Sequence, residues 1–275
     1  MKEPIKGKTK YFEYVFFPNQ SFIYIKVLPS LKTNGELKII PLSDIHIGAK
    51  GFKEEKFISF IKYISEEPVL CCVNGDTVEM ALPDSPSGVF EQTMSPTEQM
   101  LYLREHLKPI EEKILWALPG NHEERPIKRS NIDPLEWVLR SLKTNVEDRY
   151  SQFPISATIE YEGHKFNFFV QHGASGATTP GSKINAASKP LQFIKNAHFI
   201  IMGHVHSSDQ SPQNSFNLKV EGEQMTVAKH LVYVIIAPAF YEYFNTYGAK
   251  KGYAPPSTGA VVPYLWKNGT YGVSS

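Results

Sequence analysis

Five short motifs in this chain carry side chains that bind cations or move protons: "DIH" at 44–46, "GD" at 75–76, "GNHE" at 120–123, "QHG" at 171–173 and "GHVH" at 203–206. Each closes an apolar run. Side chains at the carboxyl ends of strands line the ligand crevice of an α/β sheet, so residues distant in sequence can converge there. In extended backbone, residues two apart project to one side, which pairs Asp44 with His46 and His204 with His206. Gly75, Gly120 and Gly203 precede candidate ligands, where a missing side chain leaves room for a tight turn and an ion.

The candidate ligands are Asp44, His46, Asp76, Asn121, His172, His204 and His206. They offer carboxylate, imidazole and one amide oxygen but no thiolate, which suits Mn²⁺, Fe, Zn or similar ions rather than a structural cysteine-type zinc site. Seven ligands exceed what one ion takes. Shared between two ions with one bridging carboxylate, they give each about four protein ligands and leave room for a bridging hydroxide. Two divalent cations against two carboxylates leave roughly two positive charges, or one after hydroxide binds. Such a site favours an anionic phosphate ester over a neutral peptide or ester.

Elements must bring these residues together. Aromatic and β-branched residues around a "PNQ" break predict a hairpin over 10–28. From "LKIIPLSD" onward, apolar runs alternate with helix-like segments, the signature of an α/β core. Phe57, Phe60, Ile61 and Ile64 fall on one helical stripe. Ser95, Pro96 and Glu98 fit N-cap, first-turn and capping-box positions, and Pro109 should end that helix near Lys108. Asp133, Pro134 and Glu136 repeat the cap signature. "EGHK" at 162–165 reads as a hairpin turn, "GASGATTPGSK" as a loop beside His172, and "PLQFIKNA" as a short helix. The two blocks of strands, with helices beside each, fit two sheets packed face to face.

Composition sets the bounds. The 275 residues are 41% hydrophobic, enough for one large domain, and 29 basic against 28 acidic residues leave no global field to attract a polyanion or a membrane. The only cysteines, Cys71 and Cys72, are adjacent and read as buried thiols on opposite strand faces. With no disulfide framework, signal-like start or long apolar run, the expected location is cytoplasmic. His106, His164, His198 and His230 lack motif partners and read as surface or core residues.

The order D-x-H, GD, GNH[DE], H, GHxH resembles the calcineurin-like metallophosphoesterase superfamily. The resemblance implies an α/β fold (α+β in some schemes): a four-layer αββα sandwich of two mixed sheets with helices outside. It implies a single domain over 1–275, with a β extension at 1–36 before a catalytic core at 37–275. Carried over by motif, Asp44, His46, Asp76 and His206 correspond to the ligands of one ion. Asp76, Asn121, His172 and His204 correspond to those of the other, with Asp76 bridging. His122 corresponds to the histidine that contacts phosphate and protonates the leaving oxygen, a role for which imidazole is suited near neutral pH. The implied cofactor is a pair of divalent ions, Mn²⁺ first, with Fe, Zn, Ni or Mg as alternatives.

Two departures bear on the substrate. Ser/Thr protein phosphatases extend GD to GDxxDRG, whereas this chain reads "GDTVEM", and the DNA-repair nuclease branch usually has GNHD where Glu123 stands here. The stretch from "ALPDSPSG" to "GNHEER" looks most like metallophosphoesterases of bacteriophages and bacterial mobile elements. The expected activity is a phosphodiesterase acting on nucleic acid or nucleotides. A phosphomonoesterase, of nucleotide or protein-phosphatase type, and a non-catalytic binding scaffold are the alternatives. Arg125, Lys128 and Arg129, just after His122, and Lys250 and Lys251 among the aromatic residues of 240–258 are candidate phosphate contacts.

Overall fold

The aromatic and β-branched start of the chain forms β1 (Ile5–Lys8), β2 (Phe12–Phe17) and β3 (Phe22–Val27), the last two being the hairpin expected there. Then follow β4 (Glu36–Leu42), α1 (Glu54–Glu66), β5 (Leu70–Asn74), α2 (Pro96–Leu107), β6 (Ile114–Leu118), α3 (Asn121–Ser130) and α4 (Pro134–Arg140). The second half contributes β7 (Ile155–Tyr161), β8 (His164–Gln171), α5 (Pro180–Ser188) and β9 (Phe199–Met202). A long hairpin of β10 (Asp209–Glu221) and β11 (Gln224–Ile236) comes next, before β12 (Val262–Trp266) and β13 (Tyr271–Ser274). These elements come from a computed structural model that describes residues 2–83, 85, 89–221, 224–244, 249 and 260–274.

The strands make two mixed sheets. One has eight strands in the order β1-β2-β3-β7-β8-β9-β11-β10, and the other has five, β13-β12-β4-β5-β6. Three apolar clusters define the layers. The first joins the facing sides of both sheets, with Phe12, Ile23, Ile39, Cys72, Trp116, Phe166 and Ile201 among its members. The second seats α1, α2 and α4 on the outer face of the smaller sheet through Phe57, Ile61, Leu103, Leu107, Leu135 and Val138. The third seats α5 on the outer face of the larger sheet through Ala186, Ala187, Ile200 and Val234. The result is the expected helix–sheet–sheet–helix sandwich. Cys71 lies in the second cluster and Cys72 in the first, on opposite faces of β5, both as buried thiols. No helix among the described residues is long and apolar enough to cross a membrane.

Local chemistry accounts for most boundaries. Ser95 and Glu98 close a capping box on α2, and Asp133 caps α4 by accepting from Glu136 N; such caps contribute about 1 kcal/mol each. The helix α2 gives way to a 3₁₀ segment over Lys108–Lys113, where Pro109 cannot continue it. Three expectations shift. The turn between β7 and β8 is Glu162-Gly163, both at positive φ, so His164 already belongs to the strand. The helix on the larger sheet begins at Pro180, capped by Thr179, inside the segment read as loop, and only a 3₁₀ turn occupies Lys189–Gln192. The last five residues of the strand-like run "ILWALPGNHEER" instead open a helix, α3, which continues to Ser130 despite Pro126 within it.

Candidate metal centre

The three parallel strands β4, β5 and β6 end side by side in the smaller sheet, and the parallel pair β8 and β9 ends in the larger one. All seven candidate ligands follow these five ends: Asp44 and His46 after β4, Asp76 after β5, Asn121 after β6, His172 after β8, His204 and His206 after β9. Ligand atoms of Asp44, His46, Asp76 and His206 lie within 4.8 Å of one another, and those of Asp76, His172 and His204 form a second such group. Asn121 joins the second group, its Oδ1 standing 2.7 Å from His204 Nδ1 and 3.2 Å from His172 Nε2. Asp76 belongs to both groups.

The reason the pairs converge differs from the expected one. Asp44, His46, Asp76, His204 and His206 all adopt left-handed backbone, at φ of 51°, 55°, 50°, 69° and 47°. They therefore sit on sharp turns, and strand alternation does not bring them together. A non-glycine residue held there costs on the order of 1 kcal/mol or more, and such strain gathers where a site dictates it. Backbone bonds hold the turns in place: Asp44 N donates to Gly75 O at 3.0 Å, His46 N to Asp76 O at 2.9 Å and Ile47 N to Thr77 O at 3.0 Å. Gly75 is at φ +83°, and a Cβ on it would fall 2.6 Å from Gly120 N and from His172 Nδ1. A Cβ on Gly120 would fall 2.2 Å from Asp76 Oδ1, so both turns require glycine.

Around the ligands, hydrogen bonds fix which ring nitrogen faces inward. His172 Nδ1–H donates to Asn74 O at 2.8 Å and directs Nε2 to Asp76 Oδ2 at 3.1 Å. His46 Nδ1–H donates to Glu79 Oε2 at 3.2 Å and leaves the Nε2 lone pair 3.0 Å from His206 Nε2. Two imidazole nitrogens aimed at each other beside buried carboxylates form a donor set that fits cations. Burial alone would raise the Asp76 carboxyl, but the imidazoles of His172 and His122 hold it well below the usual carboxylate range. Asp44 is likewise lowered against its burial, by His206 and His172. Burial, with His122 beside it, lowers His46, and burial with His172 lowers His204. Burial also opposes charge on His172, yet Asp76 pushes it up to about 10.

His122 stands at the edge of this cluster. Its Nδ1–H donates to Glu79 O at 2.8 Å, and its Nε2 lies 3.9 Å from Asp76 Oδ2. Sequence reasoning missed Glu79, whose buried carboxylate stands 3.2 Å from His46 Nδ1 and 3.3 Å from His122 Nδ1 and so ties a candidate ligand to the candidate acid. Its signal was faint: one acid in "GDTVEM" on a loop without periodicity. Glu123, fully buried, makes no hydrogen bond to a candidate ligand side chain among the described residues. Its carboxylate accepts from the backbone N–H groups of Asp76 (2.9 Å), Thr77 (2.6 Å) and Gly120 (2.8 Å), holding the Asp76 turn against the start of α3. Of the basic candidates after His122, Arg125 turns toward the site, whereas Lys128 pairs with Glu124 at the surface. Tyr241 flanks the cluster, its ring 5.4 Å from that of His46 and 5.7 Å from that of His206. His106 stacks on Tyr102, and His198 and His230 meet each other, all outside the ligand groups. Lys250 and Lys251 lie outside the described residues.

Comparison with known proteins covers the same region. Residues 37–208, well over half of the chain, match the family described as calcineurin-like phosphoesterase. A DNA polymerase II small subunit from Thermoplasma acidophilum is 26% identical over 170 residues, a stretch covering 57% of this chain and only 33% of that protein. A protein of unknown function from Aquifex aeolicus is 14% identical in sequence, with 62% of this chain and 80% of that one aligned at a TM-score of 0.31. Because the family match runs from the start of β4 past His206 and contains every convergent residue, the chain belongs to the calcineurin-like phosphoesterases, hydrolases that act on phosphate esters.

Proposed function

We propose that the chain is a phosphodiesterase acting on nucleic acid or nucleotides, with two divalent ions held by Asp44, His46, Asp76 and His206 and by Asp76, Asn121, His172 and His204. Mn²⁺ is the first choice for this nitrogen and oxygen donor set. The ions, when bound, supply Lewis-acid charge neutralisation at the phosphoryl group and lower the pKa of water to make a nucleophile. The chain's own groups do the rest. His122, fixed through Nδ1 by Glu79 O, presents Nε2 beside Asp76 and hands a proton to the leaving oxygen. Burial disfavours a charged His122, but Asp76 and Glu79 raise its pKa above the ordinary histidine value, which keeps a proton available near neutral pH. The whole of 1–275 acts as one domain around this centre.

The observation carrying this reading is the convergence of two ligand groups on Asp76, with His122, hydrogen-bonded to Glu79 O, beside them in a third group with His46 and Glu79. The choice of nucleic acid rests on Tyr241, whose ring flanks the centre where a base could stack, and on the similarity to a protein named as a DNA polymerase subunit. The test is hydrolysis by the Mn²⁺-loaded protein of bis-p-nitrophenyl phosphate, single-stranded DNA and RNA against p-nitrophenyl phosphate. Diester cleavage is expected. Good turnover of the monoester with none of the diesters would leave the phosphomonoesterase in its place.

A further inference from the structure

We infer that Arg125 is the residue that grips the substrate phosphate, its guanidinium binding a non-bridging oxygen beside His122. The assignment rests on the proposed centre and deepens it. Arg125 stands one turn along α3 from His122, so the helix that places the proton donor also places this cation on the same face. Its Nη1 donates to Glu79 O at 2.9 Å and lies 3.6 Å from Glu79 Oε1, while Nη2 reaches His122 Nε2 at 2.8 Å. One side of the fork is thus anchored on the loop after Asp76, and the other projects to the nitrogen that faces the reacting group. Nε makes no hydrogen bond to any described residue.

The side chain is 17% exposed, sheltered enough for charge-assisted bonds to count yet open to a ligand. Glu79 already neutralises part of the charge, but its carboxylate is shared with His46 and His122. An anion that displaces the Nη2–Nε2 bond would accept from Nη2 and, once His122 is protonated, from its Nε2–H as well. A planar guanidinium meets two phosphate oxygens at fixed geometry, which a lysine ammonium does not. Arg125 therefore orients the ester so that its leaving oxygen points at His122.

The test uses the full chain loaded with Mn²⁺, as wild type, Arg125→Ala, Arg125→Lys and, as a control, Lys128→Ala. The readouts are inhibition by inorganic phosphate, and kcat and KM for bis-p-nitrophenyl phosphate and for diphenyl phosphate, whose leaving group is poorer. Arg125→Ala should weaken phosphate inhibition by about 10-fold or more, the size of a lost charge-assisted hydrogen bond. It should lower kcat/KM on both esters by a similar factor. Arg125→Lys should recover part of this, and Lys128→Ala should match wild type. A loss confined to the poorer leaving group, with phosphate inhibition unchanged, would mean that Arg125 only positions His122, and the inference would fall. If Arg125→Ala does not fold, Arg125→Lys with unchanged phosphate inhibition would overturn it equally. Wild-type protein that hydrolyses neither diester would instead remove the phosphodiesterase reading beneath it.

Discussion

Asp76 and His122 lie 3.9 Å apart and are assigned different work, so single substitutions should separate them. Asp76→Ala removes the carboxylate common to both ligand groups; bound Mn²⁺, measured by elemental analysis, and activity should vanish together. His122→Ala should keep the metal and lower kcat by about 10²-fold or more, the usual worth of a general acid. Equal metal loss in both variants would sink the assignment. Glu79 holds the Nδ1 side of His46 and His122 at once. Burial works against its ionisation, but hydrogen bonds to these two histidines bring its carboxyl far below the usual range, so it is a charged acceptor. Glu79→Ala should weaken Mn²⁺ binding by roughly 10- to 100-fold, as loss of an oriented ligand's partner does; unchanged affinity by calorimetry would show the contact to be idle. The seven ligand candidates were legible because aspartate, histidine and asparagine beside glycine at strand ends form a pattern. Glu79 was not, because its role comes from a loop crossing under two imidazoles, which leaves no spacing to read.

At the scale of elements, caps and breaks were the most legible features: Ser95, Asp133 and Pro109 act locally, and the structure places each boundary where their chemistry puts it. α3 was hidden by Pro126, which removes one intrahelical donor, and its start is held by the distant Glu123 contacts to Asp76 and Thr77. β11 pairs with β9 only over Tyr233–Ile236, inside the strand-like run "HLVYVIIAPAF"; the rest of the hairpin pairs only with itself among the described residues and has no such run to read. That isolation predicts dispensability. Replacing residues 216–229 by Asn-Gly, between the paired Ser215 and His230, supplies a two-residue turn and should leave hydrolysis of bis-p-nitrophenyl phosphate unchanged. A fall in kcat/KM would place the arm in the catalytic unit. Between β8 and β9, His198 accepts from Asn167 N at 2.8 Å and must be neutral to do so. Burial and the neighbouring His230 lower its pKa from 6.5 to about 4. The unfolded chain then takes a proton below pH 6.5 that the fold refuses, so this stability is present above 6.5 and lost as pH falls toward 4. The drop in Tm between pH 7 and pH 5 should be smaller in His198→Asn than in wild type; identical drops would show that His198 does not contribute.

For the whole molecule, the centre is a joint between two sheets. Asp44, His46, Asp76 and Asn121 are carried on ends of the five-stranded sheet, while His172, His204 and His206 are carried on ends of the eight-stranded one. Hydrogen bonds already cross there: His204 N donates to Asp44 carboxylate oxygens at 2.9 and 3.0 Å, His172 Nδ1–H donates to Asn74 O at 2.8 Å, and Asn121 Oδ1 meets two imidazoles, with five residues held at positive φ. A cation bound by residues of both sheets would link them at this end, in addition to the apolar interior that joins them through Trp116, Phe168 and their neighbours. Binding to the fold alone stabilises by mass action, about 2.7 kcal/mol at a hundredfold excess over Kd. For a chain of this length that corresponds to a rise of about 5 °C in Tm. Addition of Mn²⁺ to chelator-treated protein should produce such a rise in calorimetry, and Asp76→Ala should abolish it. His122→Ala, which removes no ligand, should retain it in full. A Tm indifferent to Mn²⁺ in the wild-type chain would mean that the two sheets are joined without metal, and the dinuclear reading of their shared edge would have to be abandoned.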